Sequence, residues 1–521
     1  MDLFSIEFII LIIASFLLYY LLYLVNRLAK KTIVPQWSVL LIASLVFYGF
    51  NNYIYLVYLG VSFLVSYLLA LLTQYKVYNK KNNDSKKSFS PIKVDISNRR
   101  IRYEKALTIV AIVFNVAILA VLKYYNFFAN NVNRFFHANM MNIDFIIPLG
   151  ISFYTFSLIA YNVDCYKREV EAETNPFKFL LFVSYFPKVF QGPISSYEQL
   201  KKDGLFTPHS FSDNEYLKSF FRIAVGLVKK LAIANVIALY VNASYLHINE
   251  LSGWPLILTM LLYAIELYCD FSGFMDIVIG VSGLFGIKLE ENFNTPYLAS
   301  SIQYFWRRWH ISLTNWLKKY IYIPLGGNRV PIYRWIINTF IVWLISGLWH
   351  GASWTFIIWG LFHAILIIIS ALPKQIKKAR GLEITHKEEG LLLKSFKVVG
   401  TFILVSFGWI FFRSQSVQEA FQYIANMVRF LPNQYSLFKD ESLLEMHKYL
   451  VLAIVLVIVL ITMKVLSIHQ EKVLSFFKNK VLVKCTSAFI MTTLLVMVSI
   501  FVFVMLKANG GEASSFIYFD F

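Results

Sequence analysis

The residues in this sequence best suited to acid–base chemistry are two histidines in otherwise apolar, aromatic-rich stretches. His310 lies in FWRRWHISLTNWLKKY and His350 in SGLWHGASW. An imidazole titrates near neutral pH, so it can accept a proton as a general base without any covalent intermediate. Metal ligation is a competing use, with His363 as a third candidate. However, no carboxylate or thiol stands at a ligand spacing such as HExxH. No GxSxG elbow, Walker A loop or GxGxxG fingerprint occurs either. Direct group transfer with a histidine base is the simpler reading. Its alternative is structural: a lone imidazole on an apolar face is commonly a hydrogen-bonded core residue, and His350 could equally close a span. His363, within a complete apolar span, is read as structural.

The neighbours of these histidines carry their own signal. On a helix, Trp306, Trp309, His310, Leu313, Trp316, Leu317 and Tyr320 share one face at 3.6 periodicity, with Arg307, Arg308, Lys318 and Lys319 off it. The spacing predicts a single amphipathic helix at the interface or under a cavity. It stops at Pro324, before the turn Gly326-Gly327-Asn328. His350 is followed by Gly351, Ala352 and Ser353, small residues expected to let a substrate approach the ring. A third feature is YCDFSGFMD, where Glu266 precedes Asp270 by one helical turn and Ser272-Gly273 is expected to loosen the helix. Ionisable groups inside a membrane domain are costly and are candidates for function. These carboxylates therefore either line a site or form packing ion pairs.

The elements that must position these residues are membrane helices. The chain has 521 residues, 58% hydrophobic and 15% charged, with a mean hydropathy of +0.59. A soluble globular protein runs at about 45–50% apolar and 25% charged. That excludes a soluble enzyme, a disordered scaffold, a collagen-like fibre and a disulfide-stapled secreted domain. The three cysteines, Cys165, Cys269 and Cys485, form no CxxC pair. The apolar runs predict spans at Phe4–Val25, two helices in Ser38–Leu72 broken at Gly49, Asn51 and Asn52, then Ala106–Lys123, Ile146–Val163, Phe220–Val241 and Pro255–Ile279. Further spans are Trp335–Leu348, Trp354–Ser370, Val398–Phe412, Tyr449–Val465 and Val481–Leu506. Phe179–Phe190 is too short to span and reads as re-entrant. The fold class expected is all-α, a polytopic membrane protein of about ten to twelve transmembrane helices. It forms one domain over 1–521, with N-terminal spans to 165, an interrupted core over 178–371 and C-terminal spans over 398–521.

Charge sets orientation. The net charge of +19 would suggest nucleic acid in a soluble protein, but here the cations sit in loops between spans. Lys76–Lys105 holds ten Lys and Arg against three acids, and Arg27, Lys30 and Lys31 follow the first span. Both segments, with Lys374–Lys397, read as cytoplasmic, in contact with anionic lipid. The N-terminus is then outside, as a retained span with no signal-peptide cleavage pattern. No nucleic-acid partner is expected.

At these motifs the chain resembles the membrane-bound O-acyltransferase (MBOAT) superfamily, and within it the bacterial alginate O-acetyltransferase (AlgI-like) branch. The matching stretches include PLGISFYTFSLIAYNVDCYK (Pro148–Lys167), FPKVFQGPISSYEQL (Phe186–Leu200), YCDFSGFMDIVIG (Tyr268–Gly280) and NFNTPYLASSIQYFWRRWHISLTNWL (Asn292–Leu317). YIPLGGNR (Tyr322–Arg329), GLWHGASWTFIIWG (Gly347–Gly360), GWIFFRSQSVQEA (Gly408–Ala420) and FIYFDF (Phe516–Phe521) complete the pattern. The resemblance implies a ring of helices around a central tunnel, with re-entrant and amphipathic segments. It assigns the essential histidine of WHG to His350, and a second functional His or Asn to His310. It places Asp270, Ser272, Gln191, Pro193, Asn294, Trp306, Arg308, Trp309 and Trp316 along the tunnel. No bound cofactor and no metal are implied. Acetyl-coenzyme A is the donor substrate, in a bacterial cytoplasmic membrane. An extracytoplasmic SGNH-type acetyltransferase and a polysaccharide acceptor are the implied partners. A D-alanyl transferase acting toward teichoic acid, a transporter or flippase, and a structural subunit that recruits another enzyme are the alternatives.

Overall fold

A backbone in hydrocarbon must satisfy its own N–H and C=O groups, and the helix is the local way to do so. In the computed structural model, which describes residues 5–83, 98–189, 191–382 and 390–429, the regular elements are all helical. Eight of the helical segments are long and apolar enough to cross a membrane. The expected spans Tyr449–Val465 and Val481–Leu506, and the terminal FIYFDF, lie outside the described residues.

The chain divides into two compact units, Met1–Tyr216 with Val281–Glu290, and Leu217–Gly280 with Glu291–Phe521. The first contains α1 (Ile6–Leu28), α2 (Trp37–Asn51), α3 (Tyr53–Asn83), α4 (Asn98–Leu119) and α5 (Tyr125–Phe136). It continues with α6 (Ile151–Tyr166) and the short α7 (Pro176–Ser184), α8 (Phe186–Val189) and α9 (Tyr197–Lys202). The expected break in the second apolar run falls at Asn52, which is extended and caps α3 by accepting the Ile54 N–H at 2.9 Å. The span expected over Ile146–Val163 starts later, at Ile151. Gly150 adopts φ +70° immediately before it, and residues 137–150 are not helical. At 1.5 Å per residue the 16 residues of α6 cover only about 24 Å. Among the described residues, the apolar patch Phe179–Phe190 likewise holds α7 and α8, neither long enough to cross.

The second unit comprises α10 (Asp213–Leu227), whose N-terminal end belongs to the first unit, then α11 (Asn235–Leu246), α12 (Trp254–Leu284), whose end from Val281 belongs to the first unit, α13 (Ile302–Trp306) and α14 (Ile311–Leu317). The larger helices α15 (Ile332–His350), α16 (Trp354–Ala379) and α17 (Leu391–Arg413) follow, then α18 (Val417–Val428). A π-helical segment, Val228–Ala234, joins α10 to α11. In the apolar window of α12, 72% of the residues are buried, against 17% for α1, so α12 is a core helix and α1 a peripheral one.

Glycines set the two tightest crossings of this unit. A Cβ on Gly226 would lie 2.5 Å from the Gly273 carbonyl oxygen, and one on Gly273 would lie 2.9 Å from that of Gly226. Gly273 is therefore a contact glycine. α12 runs unbroken through Ser272-Gly273, and the expected loosening there is corrected by this packing. Between α15 and α16, a Cβ on Gly347 would meet the Phe356 carbonyl oxygen at 2.3 Å, and one on Gly360 that of Trp343 at 2.4 Å. Both obstacles are backbone, which cannot rotate away. Gly347→Ala and Gly360→Ala should each cost about 1–3 kcal/mol, the usual penalty of overpacking. Gly400→Ala, on α17 with open space around it, should cost nothing measurable. Thermal unfolding of the purified proteins in detergent reads the difference.

Candidate active site

His350 is the last residue of α15 and is buried. The chain then turns at extended Gly351, and α16 starts at Trp354, capped by the Ser353 hydroxyl, which accepts the Thr355 N–H at 3.3 Å. The space beside Gly351 is filled: a Cβ there would lie 2.2 Å from the Phe356 ring. Gly351 is thus a packing glycine against the Phe356 ring.

His310 reaches the same neighbourhood by a different backbone device. The single amphipathic helix expected around it is not formed. α13 ends at Trp306 and α14 begins at Ile311, with His310 between them at φ +44°, ψ +56°. Asn292 holds this reversal. Its backbone carbonyl accepts the Ile311 N–H at 3.0 Å, and its side-chain carbonyl accepts the Ser312 N–H at 2.9 Å. The burial implied by the apolar stripe is nevertheless present, because Trp306, Trp309, His310, Leu313, Trp316 and Leu317 are all buried. The turn redirects the chain without exposing them.

The two histidine rings lie 6.4 Å apart, centroid to centroid. His310 packs edge-on against Phe271 at 4.9 Å and against Trp349 at 5.7 Å. His350 packs against Trp349 and Trp359, each at 5.0 Å, and Phe412 at 5.2 Å. Neither nitrogen of His310 has a hydrogen-bond partner among the described residues. Burial pushes its imidazole down to about 3, so it is neutral at physiological pH. A neutral, buried imidazole can donate from one nitrogen and accept at the other, but it cannot supply a fixed positive charge.

His363 occupies an adjoining aromatic cage, 4.9 Å from Trp306, 5.4 Å from Trp343 and 5.1 Å from Trp359. Trp309 joins the same cluster through Trp409 at 5.1 Å. Trp316 instead packs on Tyr320 at 5.2 Å. Arg308 is held by Thr295, whose hydroxyl it reaches at 3.2 Å, and by the Tyr304 hydroxyl. The Asn294 side chain is exposed, while its N–H donates to the Arg308 carbonyl at 3.0 Å.

Asp270 and Ser272 are buried on α12. Asp270 pairs with Lys230 of the π-helical segment at 2.5 Å, and both side chains are 1% exposed. Glu266, one turn earlier, is buried as well. Cations within the apolar run Phe220–Val241 are the sequence signal that could have pointed to Lys230, a signal it shares with Arg222 and Lys229. Asn292, by contrast, carries nothing that distinguishes it from Asn294. Gln191 and Pro193 belong to the first unit, where both are buried in a turn closed by the Gly192 N–H donating to the Lys188 carbonyl at 2.8 Å. Lys188 is itself buried, with its amine 4.2 Å from the centre of the Phe182 ring. Burial lowers that amine to about 7.

The family model described as MBOAT, membrane-bound O-acyltransferase family, matches residues 100–376, which include both histidines. The chain is 34% identical over 442 residues to a protein of Helicobacter pylori named peptidoglycan O-acetyltransferase, covering 78% of this chain and 76% of that one. It is 34% identical over 345 residues to a protein of Pseudomonas aeruginosa named probable alginate O-acetylase AlgI, covering 65% of this chain and 63% of that one. A Bacillus subtilis protein named teichoic acid D-alanyltransferase is 30% identical over 278 residues, covering 51% of this chain and 68% of its own.

Two stability predictions follow from the buried groups. Lys230→Met removes the ion-pair partner of a buried carboxylate and should cost about 3–5 kcal/mol, whereas Lys230→Met with Asp270→Leu should recover most of it. For His310, the unfolded chain takes up a proton near the reference value of 6.5, and the fold only near 3. Between those values the unfolded state binds more protons, so this contribution is complete above the reference value and is lost as pH falls. Thermal unfolding measured from pH 7 to pH 4 should therefore decline less steeply for His310→Asn than for the parent.

Proposed function

This chain belongs to the membrane-bound O-acyltransferase family, and we propose that it moves an acetyl group from cytoplasmic acetyl-coenzyme A toward O-acetylation of a cell-surface or exopolysaccharide. The observation that carries the mechanism is the meeting of His310 and His350, from separate elements, inside one buried aromatic shell. In this reading His350 accepts the proton of an acceptor hydroxyl as its oxygen attacks the thioester carbonyl. The new C–O bond forms, the C–S bond breaks, and the proton passes to the departing sulfur to give the free thiol. His310, neutral and with both nitrogens unengaged among the described residues, positions the carbonyl or donates to its developing negative charge. Such a donor gains strength where water is excluded.

The membrane is the bacterial cytoplasmic membrane, with the N-terminus outside. That orientation rests on the excess of Lys and Arg in the loops taken as cytoplasmic. The relatives named for alginate and for peptidoglycan O-acetylation support an acetyl group and a glycan acceptor. An extracytoplasmic SGNH-type acetyltransferase completes the transfer in this reading. D-alanyl transfer toward teichoic acid is the second reading, supported by the Bacillus subtilis relative.

Membranes containing the protein should transfer label from acetyl-coenzyme A to a surface product. His350→Ala should lower that rate by about 10²–10⁴-fold, the usual contribution of a positioned base, with the protein still folded. His310→Ala should lower kcat more than it raises KM. Retained transfer in folded His350→Ala removes the assignment. Label accepted only from D-alanine transfers the chain to the second reading.

A further inference from the structure

The first unit holds a cavity that the acyl-transfer reading does not use. It lies at the C-terminal end of α1, measures about 560 Å³, and is lined by residues that include Arg27, Lys30, Lys31, Tyr23, Trp37 and Phe206. No carboxylate is among the lining residues. Three cations at one mouth outweigh the half negative charge of the helix end they surround.

The cavity is built by specific bonds. Asn26 clamps the turn that carries the lysines: its amide donates to the Val34 carbonyl at 2.8 Å, and its carbonyl accepts the Ile33 N–H at 2.8 Å. Within that turn Lys30 is held at φ +52°, a conformation costly for a residue with a side chain. Buried Gln36 fixes the floor. Its amide donates to the Tyr19 and His209 carbonyls, each at 3.1 Å, and its carbonyl accepts the His209 N–H at 2.8 Å. The opposite wall is the loop from Gly204 to His209, closed on itself by the His209 ring, whose Nε2 lies 2.8 Å from the Gly204 carbonyl. Loop charges that only set topology need no such frame. The apolar surface next to it is exposed: Leu24, Leu28, Ile33 and Val34 all face outward, Leu28 at 83%.

We propose that this cavity binds the phosphate-bearing headgroup of an anionic phospholipid, with the acyl chains lying along the exposed leucines of α1. A phosphate matches the cations, Tyr23 and Trp37 are residue types enriched at headgroup level, and the adjacent leucines need hydrocarbon cover. A soluble phosphate compound shares the first of these features but gains nothing from the last.

The test uses the full-length protein in phosphatidylcholine nanodiscs, titrated with phosphatidylglycerol or with inorganic phosphate. Phosphatidylglycerol should raise the unfolding temperature saturably, and inorganic phosphate should not. Each of the three cations is worth about fivefold in affinity. Arg27→Gln/Lys30→Gln/Lys31→Gln should therefore weaken the effect on the order of 100-fold. Lys374→Gln/Lys377→Gln/Lys378→Gln, which removes the same charge from the end of α16, should leave it intact. Equal loss in both variants would make the effect general surface charge and overturn the site. An equal rise with inorganic phosphate would overturn the lipid assignment. Should the first variant not fold, photoactivatable phosphatidylglycerol on the parent protein decides. Label in peptides covering 23–37 and 204–209 supports the site, and label elsewhere overturns it.

Discussion

The second unit depends on one close approach, that of α15 and α16 at Gly347 and Gly360. Each glycine faces the backbone carbonyl of the other helix at a distance no Cβ could occupy. The helices follow one another with only Gly351, Ala352 and Ser353 between them. His350 therefore sits where a tight hairpin closes. Without aqueous surroundings there is little hydrophobic drive between helices, and small residues that let backbones meet supply the packing. The indoles then fill what remains. Trp359 from α16 and Trp409 from α17 stack at 5.7 Å, and both histidine cages are completed from these helices.

A second constraint acts on charge. Burying Asp270 and Lys230 in one pair avoids two costly isolated charges at once. The bond joins α12 to the π-helical segment Val228–Ala234. Near the same crossing, Arg222 and Lys229 both reach Asp276, at 3.1 and 2.6 Å. The ionic pairs and the Gly226–Gly273 contact thus fasten α12 to α10 and the π-helical segment that continues it, one by charge and one by shape.

Much of this was legible in the residues. Composition and run length marked the membrane helices, and Gly49 to Asn52 marked the break between α2 and α3. The WHG and WRRWH stretches located both histidines. Three features were not legible, for physical reasons. Periodicity reports which residues are buried, and a chain that reverses at one residue can bury the same set as a straight helix, so the turn at His310 stayed hidden. The size of a glycine shows that something comes close without showing what, so Gly351 and Gly273 read as room or looseness where the structure has a ring and a helix. Asn292 and Asn294 differ only in which one faces inward, a property of the turn between α12 and α13.

The left-handed backbone at His310 has a consequence for what evolution can place there. That region of conformational space is hard for most side chains, and among non-glycine residues it favours Asn, Asp and His. Asn292 ties the next two N–H groups, so the reversal persists whichever residue occupies the position. The backbone therefore acts as a filter ahead of any chemical selection. The side chains it passes most easily are those that bring a hydrogen-bonding nitrogen or oxygen into a buried aromatic shell. A position first restricted by geometry is in this way already stocked with residues able to steer a reaction.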